Sequence, residues 1–235
     1  MATTSQEKVV QILGQSKFPL KNPLLIKELS ILVRLANQTH NDQVAFQNTI
    51  KLRELIPQNP READLKVQFQ TKAQIAVASL QGNLALAKEG QRLVLEHLPL
   101  FKEHEPPTYL MGCASVFFLN GEYRLVLETL TAIRSGKRSH WEALNWGVDL
   151  LRMLANYELG NFDVLTSLQR SLQRTANSQC SDFPTFATRL VSKIINASSV
   201  GDVKQVWLKA QSDYDTYWND PKESLATEVF DLSLW

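Results

Sequence analysis

Cysteine is nearly missing: Cys113 and Cys180 are the two in 235 residues. Two are too few for a disulfide framework or a zinc knuckle, and they suit buried thiols in a reducing compartment. Charge of one sign is missing too. The 25 Lys+Arg stand against 24 Asp+Glu, a formal net charge of +1. A dedicated nucleic-acid binder needs a basic surface to neutralise phosphates, so nucleic acid is not the expected partner. Long apolar runs are lacking as well. The longest uncharged one, YLMGCASVFFL at residues 109–119, is eleven residues long. A bilayer needs about 20, so this run suits a buried helix. The first residues, MATTSQEKVVQILGQ, lack the basic-then-apolar order of a secretory leader. A cytoplasmic protein with no membrane contact is expected, in which the sequons at Asn37 and Asn196 carry no sugar. Two-residue alternation bounded by hairpin dipeptides is absent, and with it any strand signal.

What the sequence does have is a recurring break. Gly82-Asn83, Gly121-Glu122, Gly160-Asn161 and Gly201-Asp202 each follow an apolar-periodic run and precede another, and Asn41-Asp42 takes the same place without glycine. Positions 41, 82, 121, 160 and 201 are spaced by 41, 39, 39 and 41 residues, an internal repeat of about forty. Beyond each break the apolar residues step by three and four, as in Tyr123, Val126, Leu127, Leu130 and Ile133, which marks one helix face. Each unit therefore reads as helix A, a tight turn and helix B. The glycine supplies a left-handed residue ending helix A, and the following Asn or Asp caps helix B. Prolines 57, 60, 99, 106, 107, 184 and 221 fall at the joints between units, where a helix start tolerates them.

A helix A, a Gly-Asn/Asp turn, a helix B with an early small residue and a closing proline together resemble the tetratricopeptide repeat (TPR). The match is best over residues 69–99, with Gly82, Asn83, Ala87 and Pro99 in the places of the turn glycine, turn polar residue, small packing residue and terminal proline. In the other units Val126, Leu165 and Val206 replace the small residue, and the period exceeds the family's usual value. The chain is thus TPR-like. The segment ALNWGVDLLRMLANYELGNFDVLTSLQRSLQR also resembles uncharacterised bacterial TPR-like proteins. The resemblance implies an all-α, right-handed α-solenoid of about five helix-turn-helix repeats in a single domain, 1–235. The repeats fall at 22–57, 61–99, 106–135, 139–177 and 182–219, followed by a terminal helix at 222–235. It also implies a concave face lined by A helices that takes peptides or helices of other proteins.

Few constellations point to chemistry. EHLPLFKEHE gathers Glu96, His97, Glu103, His104 and Glu105, but Pro99 interrupts the helical spacing that metal ligands want, and a solvated loop is the plainer reading. His40 and His140 stand alone. Ser5 and Lys8 have Ser-x-x-Lys spacing in a terminus that reads as frayed, without companion motifs. No catalytic residue, cofactor or metal is expected, and the protein is not expected to be an enzyme. The candidate partner-binding residues lie on the fourth A helix. Asn145, Asp149, Arg152 and Asn156 step by four, three and four into one polar stripe, with Trp146 as an aromatic anchor. A solvated stripe with Asp149 and Arg152 paired is the plainer reading. Counting back from Gly160 in the family's register puts Gly147, Leu150, Leu154 and Tyr157 on the concave face instead.

The leading expectation is a non-catalytic interaction scaffold that binds a peptide or helix of another protein through this stripe. Truncating Asn145, Asp149 and Arg152 together to Ala is expected to abolish capture at little cost in stability. Two alternatives remain open. Arg134, Lys137, Arg138 and His140, with Arg170 and Arg174 one B helix later, form a basic patch for nucleic acid or an anionic ligand. The apolar stretch ESLATEVFDLSLW, residues 223–235, offers self-association as a segment of a larger protein.

Overall fold

The structure, a computed structural model, describes residues 2–15, 21–39, 41–102, 105–135, 142–178, 181–197, 199–220 and 222–223. Among the described residues every regular element is helical. The chain divides into two compact units, residues 1–116 and 117–235.

In the first unit the helices are α1 (Ala2–Gln15), α2 (Lys21–Gln38), α3 (Asp42–Glu54), α4 (Pro60–Gln81) and α5 (Leu84–Glu96), then a single 3-10 turn at Leu98–Leu100. The division between units falls within α6 (Glu105–Leu119). The core is built by helical periodicity. Leu25, Ile26, Leu29, Val33 and Ala36 line one face of α2 and meet Ala45 and Leu52 of α3 and Ala73 and Val77 of α4. Residues three and four apart share a face, so α2 alone presents five apolar side chains to both neighbours. Helix α1 corrects the expectation of a frayed terminus. Its Val10 and Leu13 pack against this core, and α1 lies on α2. Tertiary burial stabilises a fourteen-residue helix that is marginal in isolation.

The helix pairs end where turn chemistry dictates. Gly82, Gly121 and Gly160 have φ of 59°, 74° and 73°, left-handed values at which any other residue is strained. Asn41 and Asn83 cap α3 and α5 by accepting from the amides of Val44 and Leu86. The following Asn161 does not act this way; its side-chain amide donates to Asn156 Oδ1 at 3.0 Å.

The start of α4 is held by four side-chain hydrogen bonds. Asn59 Oδ1 accepts from the Glu62 amide at 2.9 Å. The Glu62 carboxylate in turn accepts from the Gln58 amide at 2.9 Å, Asn59 Nδ2 at 3.1 Å and Asn22 Nδ2 at 3.1 Å. The Asn22 bond ties the first turns of α2 and α4, forty residues apart. The Gln58 amide, helped by both asparagines against the opposing effect of burial, holds the Glu62 pKa below its ordinary value. A carboxyl depressed in the folded state contributes stability that is complete above the unfolded value and fades as pH falls through the folded one. The Glu62→Gln variant should therefore lose less stability than wild type between pH 6 and pH 3, measured by urea midpoints; parallel pH profiles would refute the assignment.

The second unit holds α7 (Tyr123–Ser135), α8 (Glu142–Glu158), α9 (Phe162–Asn177), α10 (Phe183–Ile195) and α11 (Val200–Trp218). Helix α8 packs against α7, α9 and α10, and α10 against α9 and α11. Trp146, Leu150, Leu151, Met153 and Leu154 of α8 are fully buried, as is Phe183 of α10. The start of α10 is closed by Glu223, whose carboxylate accepts from the amides of Asp182 and Phe183, each at 3.1 Å.

The corner expected at Gly201 lies elsewhere. Gly201 does not end a helix A: α10 stops at Ile195 with Asn196 as its C-cap, and Gly201 lies in the first turn of α11. The reason is a better cap two residues earlier. Ser199 Oγ accepts from the Asp202 amide at 3.2 Å and donates to the Asp202 carboxylate at 2.8 Å, an N-cap that starts a helix. The expected terminal helix at 222–235 falls on residues that, beyond Glu223, lie outside the described ones.

Candidate interaction surface

The polar stripe of α8 shares one helix face, and the neighbouring helix engages that face. Asp149 is 6 % exposed, and its Oδ2 accepts from the hydroxyls of Ser171 at 3.2 Å and Thr175 at 2.8 Å, both on α9. Asn156 is buried; its Nδ2 donates to the Arg152 carbonyl at 2.8 Å and its Oδ1 accepts from Asn161. Asn145 and Arg152 are half-buried. Trp146 has no exposed surface: its ring meets Phe183 edge-on at 6.0 Å, and its indole N–H donates to Thr188 Oγ1 at 3.2 Å. The family-register alternative is no more open, with Gly147, Leu150 and Leu154 buried and Tyr157 half-buried. Of the five candidates, Asp149 and Asn156 join α8 to α9 and its N-cap, and Trp146 joins α8 to α10. Truncating Asp149 takes a buried acceptor away from two hydroxyls, so the triple Ala variant is expected to cost stability and not to spare it.

A second cluster was not legible as such. Lys72 of α4 pairs with Glu105 of α6 at 2.8 Å, with its ammonium 5.7 Å from the Phe69 ring and 5.9 Å from the Tyr109 ring. Phe101 meets Tyr109 edge-on at 5.8 Å, and Glu105 Oε2 accepts from the Lys102 amide at 2.9 Å. Burial is the largest single effect on Lys72 and lowers its pKa, but the Glu105 hydrogen bond and charge and the Tyr109 hydroxyl together outweigh it, so the pKa lies above its ordinary value and the ammonium stays charged. This is a clasp fastening the chain after α5 back onto α4. The same stretch was expected to be a solvated loop, yet Phe101 is buried and Glu105 is paired. Glu96 pairs with Arg92, while Glu103 and His104 lie outside the described residues. Among the described residues no three His, Cys, Asp or Glu side chains gather as a metal ligand set would. Cys113 is buried, and burial pushes its thiol pKa up to about 12, so it stays protonated at neutral pH.

Of the basic residues, Arg170 and Arg174 are exposed on α9. Lys137, Arg138 and His140 lie outside the described residues, as does Trp141. No described helix is long and apolar enough to cross a membrane.

The surface that sequence reasoning missed is the outward side of α11. Its inward side is aromatic. Tyr214 lies 5.9 Å from Phe183 and 5.3 Å from Trp207, and Tyr217 lies 5.0 Å from Phe186. Outward, Leu208 is 58 % exposed and Trp218 39 %, the latter stacked on Tyr214 at 5.7 Å. Leu208, Gln211, Ser212, Asp215, Thr216 and Asn219 line a shallow open groove of about 600 Å³. The signal for this face was in the sequence, as apolar and polar residues alternating by three and four. It was obscured because Gly201 was assigned to a corner and not to the helix. No family model, curated protein or solved structure matches the chain.

Proposed function

We propose that this chain is a non-catalytic protein–protein interaction module, a cytoplasmic TPR-like α-solenoid that docks a helix or peptide of another protein. Consecutive helix pairs support the solenoid reading, as do side-chain bonds spanning about one repeat, from Asn22 to Glu62 and from Trp146 to Thr188. One observation carries the docking reading: the outward side of α11 presents Leu208 in a groove whose other walls are amides, hydroxyls and one carboxylate, with Trp218 exposed on the same helix outside the groove. Protein interfaces are built this way, with a few apolar anchors set among polar groups that fix register. The docking face moves from α8, whose polar stripe is spent on α9, to α11. Trp146, Asp149 and Asn156 then act by holding α8 against its neighbours.

The test is affinity capture from native lysate with the full chain and with Leu208→Asp, at low and moderate salt. Leu208 is exposed, so the substitution leaves folding intact. A retained protein set lost with Leu208→Asp is the expected result. An identical set with both baits would sink the α11 assignment, and nucleic acid released by the salt wash would favour the basic α9 face.

A further inference from the structure

The outward side of α11 carries a pattern more specific than an apolar groove. Gly201, Lys204, Leu208, Gln211, Asp215 and Trp218 step by three, four, three, four and three, and all six are exposed. At about 100° per residue they fall in an arc about 100° wide, the seam a helix offers to another helix. The order of residue types along the seam matters most. Turned end for end about the midpoint between Leu208 and Gln211, position 201 falls on 218, 204 on 215 and 208 on 211. The smallest residue then opposes the largest, and the cation opposes the anion.

We infer that this seam is a two-fold interface: α11 pairs antiparallel with α11 of a second copy of this chain. The inference rests on the reading of α11 as a docking face and names its occupant. A two-fold contact is isologous, so each pairing occurs twice and the surface must complement itself. Here it does. Each Lys204 ammonium faces the Asp215 carboxylate of the other copy, giving two ion pairs. Each Trp218 ring lies over the other copy's Gly201, where no Cβ stands in the way. The two Leu208 side chains are one helical turn apart at the centre, beside the Gln211 amides. A parallel pairing would instead set Lys204 beside Lys204 and Asp215 beside Asp215, so charge selects the antiparallel sense. A single helix pair of this length makes a small interface, and a reversible dimer in the micromolar range is expected.

The test is charge exchange in the full chain, read by sedimentation velocity from about 1 to 200 μM, a range chosen to bracket a micromolar constant. Wild type should pass from monomer to dimer across it. Lys204→Glu and Asp215→Lys should each weaken the dimer about tenfold or more, because each converts two attractions into two repulsions. Mixing these two variants should restore association. In the mixed dimer the carboxylate introduced at position 204 of one copy meets the ammonium introduced at position 215 of the other. The native Asp215 of the first copy meets the native Lys204 of the second. Neither a folding defect nor a general charge effect predicts recovery on mixing. A dimer indifferent to both substitutions, or variants that stay apart when mixed, overturns the antiparallel seam. A wild-type chain monomeric throughout also overturns it. In that case Leu208-dependent capture of a different protein leaves the docking reading standing, and its absence removes both.

Discussion

The Trp146→Ala variant should lose about 3–5 kcal/mol of stability, the range for removing a large aromatic from a packed core. Trp146 is fully buried between α8 and α10, in edge contact with Phe183 and bonded to the Thr188 hydroxyl at 3.2 Å. Its loss opens a void between helices already close-packed through Leu150, Met153 and Leu154. It also strands the hydroxyl of Thr188, which is 1 % exposed. Trp146→Phe keeps an aromatic ring against Phe183 and gives up the N–H, so it should cost about 1–3 kcal/mol. Guanidinium denaturation followed by far-UV circular dichroism separates the two variants. An Ala variant within about 1 kcal/mol of wild type would show that Trp146 is not the packing centre of the second unit. The prediction also bears on function. If partner capture falls in Trp146→Ala, it falls together with helix content, whereas loss of a surface anchor would leave the fold intact.

The contrast between Trp146 and Gly82 shows which features can be read from sequence alone. A left-handed turn is a local requirement, satisfied within four residues. Glycine at 82, 121 and 160 therefore announced corners that the structure places at positive φ. Asn83 announced a cap for the same reason, whereas at the first corner the cap is Asn41, in the glycine's place, and not the Asp42 that follows it. Gly201 failed because two local signals competed and Ser199 with Asp202 made the stronger one. The α8 stripe failed differently. That Asn145, Asp149, Arg152 and Asn156 share a face follows from helical period alone, but which neighbour covers that face depends on α9. Ser171 and Thr175 lie 22 and 26 residues from Asp149. Polar residues on a helix signal water or a polar neighbour equally well, and here the neighbour was another helix. Lys72 and Glu105, separated by 33 residues and by α5, were beyond any periodic signal.

The Gly90→Val variant should be nearly as damaging as Trp146→Ala, and for the opposite reason. A Cβ on Gly90 of α5 would lie 2.6 Å from Ile75 Cγ1 and 3.3 Å from its Cδ1. On the far side, a Cβ on Gly112 of α6 would lie 3.1 Å from Ile75 Cγ2. Ile75 of α4 is thus a knob held between two glycines, and its β-branch leaves one favoured χ1 in a helix, so it cannot swing aside. Gly90→Ala gains about 1 kcal/mol of helix propensity but meets the Cγ1 contact, and a net loss of about 1 kcal/mol is expected. Valine adds two more methyls to a space with no room for one and should cost about 3 kcal/mol. Ile75→Val does not relieve the clash, since it keeps a carbon at the Cγ1 position, whereas Ile75→Ala removes it. The decisive measurement is the double-mutant cycle of Gly90→Val with Ile75→Ala by urea denaturation. Ile75→Ala alone should cost about 2–5 kcal/mol by leaving a cavity. In combination the valine methyls enter that cavity, so the pair should be about 2 kcal/mol more stable than the sum of the single losses. Additive losses would mean that the α4–α5 approach at Gly90 is looser than 2.6 Å implies, and that Ile75 has room to move.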